Sequence, residues 1–201
     1  MGDQTSARKA AIHRRTGETD IELTLDLDGD GAMDGTTGIG FFDHMLALFA
    51  KHGHMRIEIA CTGDLHVDNH HTVEDVGICL GQALVEALGE KKGIARYGTA
   101  YVPMDECLAR AVVDLSGRAS CVANAEVAAE RVGEFEVELA WEFFRVVAMN
   151  GRLNLHVDLL RSGNAHHAVE ACFKAVAKAL REACALEGTR ADEVPSTKGV
   201  L

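Results

Sequence analysis

The chain has 201 residues, of which 47% are hydrophobic and 25% are charged, as is typical of a single globular domain. Its formal net charge of −11 argues against a protein that binds nucleic acid or anionic membranes, since both partners require a basic face. No run of about 18 apolar residues is present, so the sequence predicts no transmembrane helix.

The cysteines and the N-terminal segment predict a cytoplasmic location. Six cysteines are scattered along the chain without a C-x-x-C pair, which is typical of reduced thiols rather than of a disulfide framework. Residues 1–10 are polar and lack the apolar stretch of a signal peptide.

In chain order, the first half of the sequence alternates between strand and helix patterns. Apolar residues alternate with polar ones in the strand segments and follow helical spacing in the helix segments. Gly89 provides a stop signal after the second helix. The predicted elements are strands at 8–16 and 20–28, a helix at 42–51, a strand at 55–61 and a helix at 70–89.

The second half repeats this order of elements. Strands are predicted near 99–115 and 118–129, a helix near 136–149, a strand at 153–160 and a helix at 165–186. We therefore predict an α+β fold, a duplicated strand-strand-helix-strand-helix unit with sheets packed against helices. The expected organisation is one domain of two pseudo-repeats, about 8–92 and 93–186, followed by a C-terminal tail at 187–201.

The two halves share a His-His-x-Val-Glu string. Each string follows a predicted strand, and before that strand lies a predicted helix that is followed by glycine. Counting nine residues back from Gly53 and from Gly151 reaches His44 in the first half and Glu142 in the second. This correspondence indicates an internal duplication. The strings are His70-His71-Thr72-Val73-Glu74 and His166-His167-Ala168-Val169-Glu170.

The spacing within each string favours metal binding. Adjacent side chains on a helix point about 100° apart, so two neighbouring histidines cannot easily hold the same ion. A glutamate placed four and three residues later shares a face with each histidine, so one string is suited to two neighbouring sites. Imidazole and carboxylate groups without thiolate suit Mn²⁺, Fe²⁺ or Zn²⁺. The eight predicted ligands are His44, His70, His71, Glu74, Glu142, His166, His167 and Glu170.

Four motifs spread along the chain extend this metal-binding pattern. They are Phe41-Phe42-Asp43-His44-Met45-Leu46, Asp64-Leu65-His66-Val67-Asp68-Asn69-His70-His71-Thr72-Val73-Glu74-Asp75, Asn164-Ala165-His166-His167 and Ser196-Thr197-Lys198-Gly199-Val200-Leu201. In this order they resemble the imidazoleglycerol-phosphate dehydratase family, and the resemblance extends from residue 14 to residue 201. The four motifs together are highly specific, although no single one is.

The resemblance implies a lyase of histidine biosynthesis that converts D-erythro-imidazole glycerol phosphate to imidazole acetol phosphate by loss of water. It also implies two Mn²⁺ ions per active site and assembly into a large homo-oligomer, a 24-subunit shell with active sites between subunits. The implied fold is that of ribosomal protein S5 domain 2, which agrees with the duplicated unit predicted above.

The resemblance also assigns roles to individual residues. Every predicted ligand except Glu142 matches a metal-binding position of the family. Glu18 matches an acid that contacts the substrate, and His52 lies in a stretch that lines it. Binding of the substrate phosphate is assigned to Arg96, Arg118, Ser196 and Lys198.

Two positions depart from the family pattern. Glu142 stands where the family commonly has histidine, and a carboxylate there would make the metal site harder and more anionic. Leu48 stands where many members carry glutamine, so one hydrogen bond to the substrate or to a ligand is expected to be missing.

The implied reaction sets the chemistry that the residues must perform. No carbonyl flanks the carbon that loses its proton, so the imidazole ring must act as the electron sink. Metal binding would favour the imidazolate, which can expel the hydroxyl and give a diazafulvene-type intermediate. A base and an acid are then needed, and we predict Glu18 and Glu170 for these roles, in either order.

Two other classes of protein fit the same ligands. A dinuclear hydrolase would use a metal-bound water to attack a phosphate or amide. A metal-storage or scaffold protein would hold the ions without any use for the predicted phosphate-binding residues. Turnover of imidazole glycerol phosphate separates these alternatives from the dehydratase.

Overall fold

The computed structural model describes residues 8–188 and 191–201. Its four helices are α1 (Gly40–Gly53), α2 (His70–Leu88), α3 (Glu138–Asn150) and α4 (Ala165–Cys184). Its strands are β1 (Lys9–Arg15), β2 (Thr19–Asp26), β3 (Met33–Thr36), β4 (Arg56–Gly63), β5 (Tyr97–Met104), β6 (Cys107–Asp114), β7 (Ser120–Asn124), β8 (Arg131–Val132), β9 (Phe135–Glu136) and β10 (Asn154–Arg161).

Two four-stranded sheets with the same topology confirm the duplicated α+β fold. Their strand orders are β1-β2-β4-β3 and β5-β6-β10-β7. In each sheet the first three strands pair in antiparallel fashion and the last pairs in parallel. The repeated unit is therefore strand-strand-strand-helix-strand-helix, one strand more than the pattern predicts. The strand β3 was missed because it has four residues and none of them is buried, so no alternation marks it.

The second half differs from the prediction in two further places. The span near 99–115 is a hairpin of β5 and β6 that turns at Asp105 and Glu106, where the φ angle of Asp105 is +48°. The strand predicted near 118–129 covers only residues 120–124. The short hairpin of β8 and β9 follows it and precedes α3. The four helices begin and end within a few residues of the predicted bounds.

The helices of the two repeats pack crosswise. The helix α1 of the first repeat lies against α4 of the second, and α2 lies against α3. Gly77 and Gly81 are on α2, and their lack of a side chain lets α3 approach α2 closely. A Cβ at Gly81 would lie 2.7 Å from the backbone nitrogen of Gly151, which directly follows α3. All four helices contribute buried residues to one continuous hydrophobic core. The crossing brings each His-His-x-x-Glu helix next to a helix of the other repeat.

The described residues include no helix with both the length and the apolar character needed to cross a bilayer. All six cysteines lie in this part of the chain, and none of them forms a disulfide. Burial raises the pKa of Cys172 and of Cys184 to about 12, so both thiols stay protonated and unreactive at neutral pH.

Candidate metal centre and substrate site

The first cluster of candidate ligands joins α1 and α4. Ligand atoms of His44, His166 and Glu170 all lie within 4.8 Å of one another. Glu170 Oε2 is 3.1 Å from His166 Nε2 and 3.4 Å from His44 Nε2, and the residue is only 6% exposed. Burial is the largest single influence and acts to raise the pKa of Glu170, but Lys174, His166 and His44 together lower it below its usual range. The cluster therefore contains an ionised carboxylate between two imidazoles.

Hydrogen bonds at the helix starts position these ligands. The Asn164 side chain caps α4 by accepting from the backbone N–H groups of His166 and His167, at 2.9 and 3.3 Å. On α1, Asp43 accepts from the backbone and the hydroxyl of Thr37, both at 2.7 Å. His44 follows directly, so its position is set by the same loop that begins the helix.

The second cluster joins α2 and α3 and contains more carboxylate. Ligand atoms of His70, Glu74 and Glu142 also lie within 4.8 Å of one another. Arg145 Nε donates to Glu142 Oε2 at 2.8 Å, and its guanidinium lies 3.7 Å from Glu74 Oε1. This guanidinium lowers the pKa of Glu142 below its usual range. One arginine therefore partly balances two carboxylates here.

The two clusters are equivalent in construction. In each cluster, one His-His-x-x-Glu helix supplies a histidine and the glutamate four residues after it. The third ligand comes from the helix of the other repeat that packs against it. Glu142 occupies in the second cluster the place that His44 occupies in the first. Six of the eight predicted ligands are thus brought together as two sets of three.

The remaining two histidines, His71 and His167, lie outside both clusters. His71 Nδ1 lies 3.0 Å from Asp64, and His167 Nδ1 lies 3.1 Å from Glu106. A backbone N–H donated by Asn164 is the main cause that lowers the pKa of Glu106 to about 2. With Nδ1 donating to a carboxylate, each Nε2 keeps its lone pair for a metal.

Asp64 is a functional candidate that the sequence does not predict, whereas the sequence predicts Asp105-Glu106 as a polar turn, with a supporting role beside a metal ligand as the alternative. Asp64 stands seven residues before His71, inside the motif at 64–75, so the sequence pattern contained a usable signal. Glu106 lies in the turn between β5 and β6, and only the fold brings it beside His167. A carboxylate on the second nitrogen of a ligating histidine sets the tautomer and the orientation of the ring.

The four residues assigned to phosphate binding share one region of the surface. Arg96 donates to Asp114 Oδ1 at 2.8 Å and to the carbonyl of Pro195 at 2.8 Å, so it ties the C-terminal tail to the second sheet. Gly117, next to the exposed Arg118, lies against Leu201. Ser196 and Lys198 are part of the same tail, where the Lys198 N–H donates to Ser196 Oγ.

This phosphate region lies at the far end of α4 from the first ligand cluster. The Arg96 N–H donates to the carbonyl of Ala183 in the last turn of the helix. His166 is in the first turn, so about 25 Å separate the two ends at 1.5 Å per residue. His52 lies between them on α1, where burial and then the charge of Lys174 lower its pKa.

Comparison with known proteins identifies the family. The family model for imidazoleglycerol-phosphate dehydratase matches residues 37–180. The chain belongs to the imidazoleglycerol-phosphate dehydratase family. As a member it is an enzyme of the hydro-lyase class, and the predicted family and enzyme class are confirmed.

Individual relatives of the family match over nearly their whole length. The imidazoleglycerol-phosphate dehydratase of Heliobacterium modesticaldum is 56% identical over 194 residues, which cover 96% of this chain and 100% of that protein. That of Salinibacter ruber is 57% identical over 196 residues, covering 98% and 96%. The crystal structure of the Staphylococcus aureus dehydratase superposes with a TM-score of 0.81 at 43% identity, covering 89% of this chain and 99% of that one.

Proposed function

We propose that the chain dehydrates D-erythro-imidazole glycerol phosphate to imidazole acetol phosphate, a step of histidine biosynthesis, and that it does so in the cytoplasm. The observation that carries this proposal is the pair of equivalent three-ligand clusters in a chain of this family. A storage protein would have no use for the separate region that contains Arg96, Arg118 and Lys198.

The donor groups suit two Mn²⁺ ions per active site. Each cluster offers imidazole and carboxylate groups without a thiolate, the mixture that Mn²⁺ accepts. Ligand atoms on opposite sides of an octahedral ion are about 4 Å apart, so groups already within 4.8 Å need little movement to bind one. His71 and His167 would complete the sites through Nε2. When bound, the ions would stabilise the imidazolate form of the substrate ring.

Loss of water itself requires the carbon-bound proton to pass to a base and the leaving hydroxyl to gain a proton from an acid. The ring pushes out the hydroxyl and passes through the diazafulvene-type intermediate, and loss of the carbon-bound proton then gives an enol that becomes the ketone. Glu18 suits such a transfer, because it is exposed and lies 3.7 Å from His71 Nε2. Glu170 is buried among His44, His166 and Lys174, an environment that favours its role as a ligand.

The distance between the phosphate region and the first cluster supports a site shared between subunits. About 25 Å is more than a small phosphorylated imidazole can span. One chain would then bind the phosphate while another holds the ion of the first cluster, which requires self-association into the large homo-oligomer that the resemblance implies.

A single assay tests the proposed reaction. Purified protein is stripped of metal with a chelator and supplied with imidazole glycerol phosphate, with and without added Mn²⁺. We expect imidazole acetol phosphate to form only with Mn²⁺. Release of inorganic phosphate would instead indicate the hydrolase, and binding of Mn²⁺ without any turnover would indicate a storage protein.

Glu142 allows a prediction about metal preference. In Glu142→His the second cluster would have two imidazoles and one carboxylate, like the first. Because nitrogen ligands favour Zn²⁺ over Mn²⁺, we expect the Zn²⁺ to Mn²⁺ affinity ratio at one site to rise about tenfold. Competition of Zn²⁺ against Mn²⁺, followed by electron paramagnetic resonance, measures this ratio.

Glu138→His is the matched control for that experiment. Glu138 lies one turn earlier on the same helix, is exposed, and belongs to neither cluster. It should leave the ratio unchanged. An unchanged ratio in Glu142→His as well would mean that Glu142 does not bind the ion.

A further inference from the structure

The two outer histidines have matching carboxylate surroundings. His71 has Asp64 at Nδ1 and Glu18 at Nε2, with distances of 3.0 and 3.7 Å. His167 has Glu106 at Nδ1, 3.1 Å away, and a second carboxylate at Nε2, 3.8 Å away. That second carboxylate is Asp105, which has no assigned role.

The match is not visible from the order of residues in the chain. Glu18 directly precedes β2 and Glu106 directly precedes β6, which is the equivalent strand of the second repeat. By position in the chain, Glu18 and Glu106 would therefore be expected to have equivalent roles. Asp64, however, comes from the connection between β4 and α2. The corresponding connection in the second repeat, 162–164, contains no acid.

Glu106 takes the place of the missing acid in that connection. Its carboxylate reaches over Gly163, where a Cβ would lie 2.3 Å from Glu106 Oε1, and accepts from the Asn164 N–H at 2.6 Å. Because Glu106 contacts Nδ1 of His167, it is not the carboxylate at Nε2. Asp105 lies beside Nε2 of His167, as Glu18 lies beside Nε2 of His71 in the first repeat. The Asp105 side chain is 72% exposed and is free to meet a bound molecule.

We propose that Asp105 is a second catalytic carboxylate, the counterpart of Glu18 beside the other outer histidine. The inference rests on the proposed function, which requires one group to take a proton and another to give one. The C–H bond breaks with its proton passing to one carboxylate and its electrons entering the new C=C bond. The C–O bond breaks as the hydroxyl takes a proton from the other carboxylate and leaves as water. One group gains the proton that the other loses.

The geometry supports Asp105 for this role over Glu170. Glu170 Oε1 is paired with Lys174 and its Oε2 faces His166 and His44, so both oxygens are used. Asp105 stands beside the nitrogen of His167 through which that residue would bind an ion. Glu18 stands in the same relation to His71, so each proposed transfer group borders one outer histidine.

Asp105→Asn in the Mn²⁺-loaded enzyme is the decisive variant. Asparagine tolerates the positive φ angle of +48°, so the turn should be kept, and it fills the same volume without a transferable proton. We expect kcat to fall on the order of 10²- to 10⁴-fold, as for loss of an acid or base, while KM and the Mn²⁺ content stay the same. Glu18→Gln should behave alike.

A substrate deuterated at the reacting carbon then separates the two roles. The variant that lacks the base should show the larger primary isotope effect on kcat, because proton abstraction becomes slower. Asp30→Asn is the matched control, since Asp30 is also an exposed acid in a connection between two strands, paired there with Arg56, and it should leave kcat unchanged.

Three results would overturn the proposal. Unchanged kcat in Asp105→Asn would show that the carboxylate takes no part. Loss of one Mn²⁺ per chain would make Asp105 a ligand, as its grouping with Glu106 and His167 allows. Absence of turnover by the unmodified enzyme with Mn²⁺ would remove the proposed function itself, which the parent protein alone reveals.

Discussion

Replacing His166 with glutamine is expected to abolish turnover and to reduce the Mn²⁺ content from two ions per chain to about one. His166 Nε2 lies 3.1 Å from Glu170 Oε2 and is part of the first cluster. Loss of a partner that only orients a ligand costs roughly 10- to 100-fold in affinity or activity, so loss of the ligand itself should cost more. Metal analysis of the purified variant and a turnover assay measure both effects.

His156→Gln is the control for this variant. His156 is exposed on β10, a strand that contributes nothing to either cluster, so both Mn²⁺ ions and full activity should remain. If His166→Gln also kept two ions, the first cluster would not be a metal site.

The shared site gives this variant a second use. Arg118→Ala should also be inactive, because it removes an exposed cation from the phosphate region. If one chain binds phosphate and another holds metal, co-expression of the two inactive variants should restore activity, at most about a quarter of normal with random mixing. No recovery in the mixed assembly would place both functions on one chain.

Gly81→Ala is expected to destabilise the fold and to disturb the second cluster without touching a ligand. A methyl group at Gly81 would lie 2.7 Å from the Gly151 nitrogen and 2.9 Å from the Val147 carbonyl oxygen, so α2 and α3 must move apart. Alanine favours a helix by up to about 1 kcal/mol over glycine, whereas overpacking costs about 1–3 kcal/mol. We expect a net loss of stability, measured by urea unfolding.

The same movement should weaken metal binding at one site only. His70 and Glu74 are on α2 and Glu142 is on α3, so separating these helices spreads the second cluster. The first cluster lies between α1 and α4 and should keep its ion. Gly40→Ala is the control, because Gly40 is also helical and has nothing within 4 Å of its Cβ position. Equal stability of the two variants would contradict the close approach of α2 and α3.

The sequence by itself determined the features that depend on local spacing. Helical periodicity places His166 and Glu170 on one face, and likewise His70 and Glu74, so these ligand pairs follow from four-residue spacing alone. Alternation along β2 and β4 marks their buried faces in the same way. The family also follows from the sequence, since its motifs occur in order along the chain.

Only the tertiary structure decided which distant groups meet. The packing of α1 against α4 brings His44 to the His-His-x-x-Glu string of the second repeat. The packing of α2 against α3 brings Glu142 to the string of the first repeat. Packing of whole helices sets such contacts, and no local pattern records it. For the same reason the turn acids Asp105 and Glu106 have no sequence signal that links them to His167. Their roles depend on where the hairpin of β5 and β6 ends beside α4.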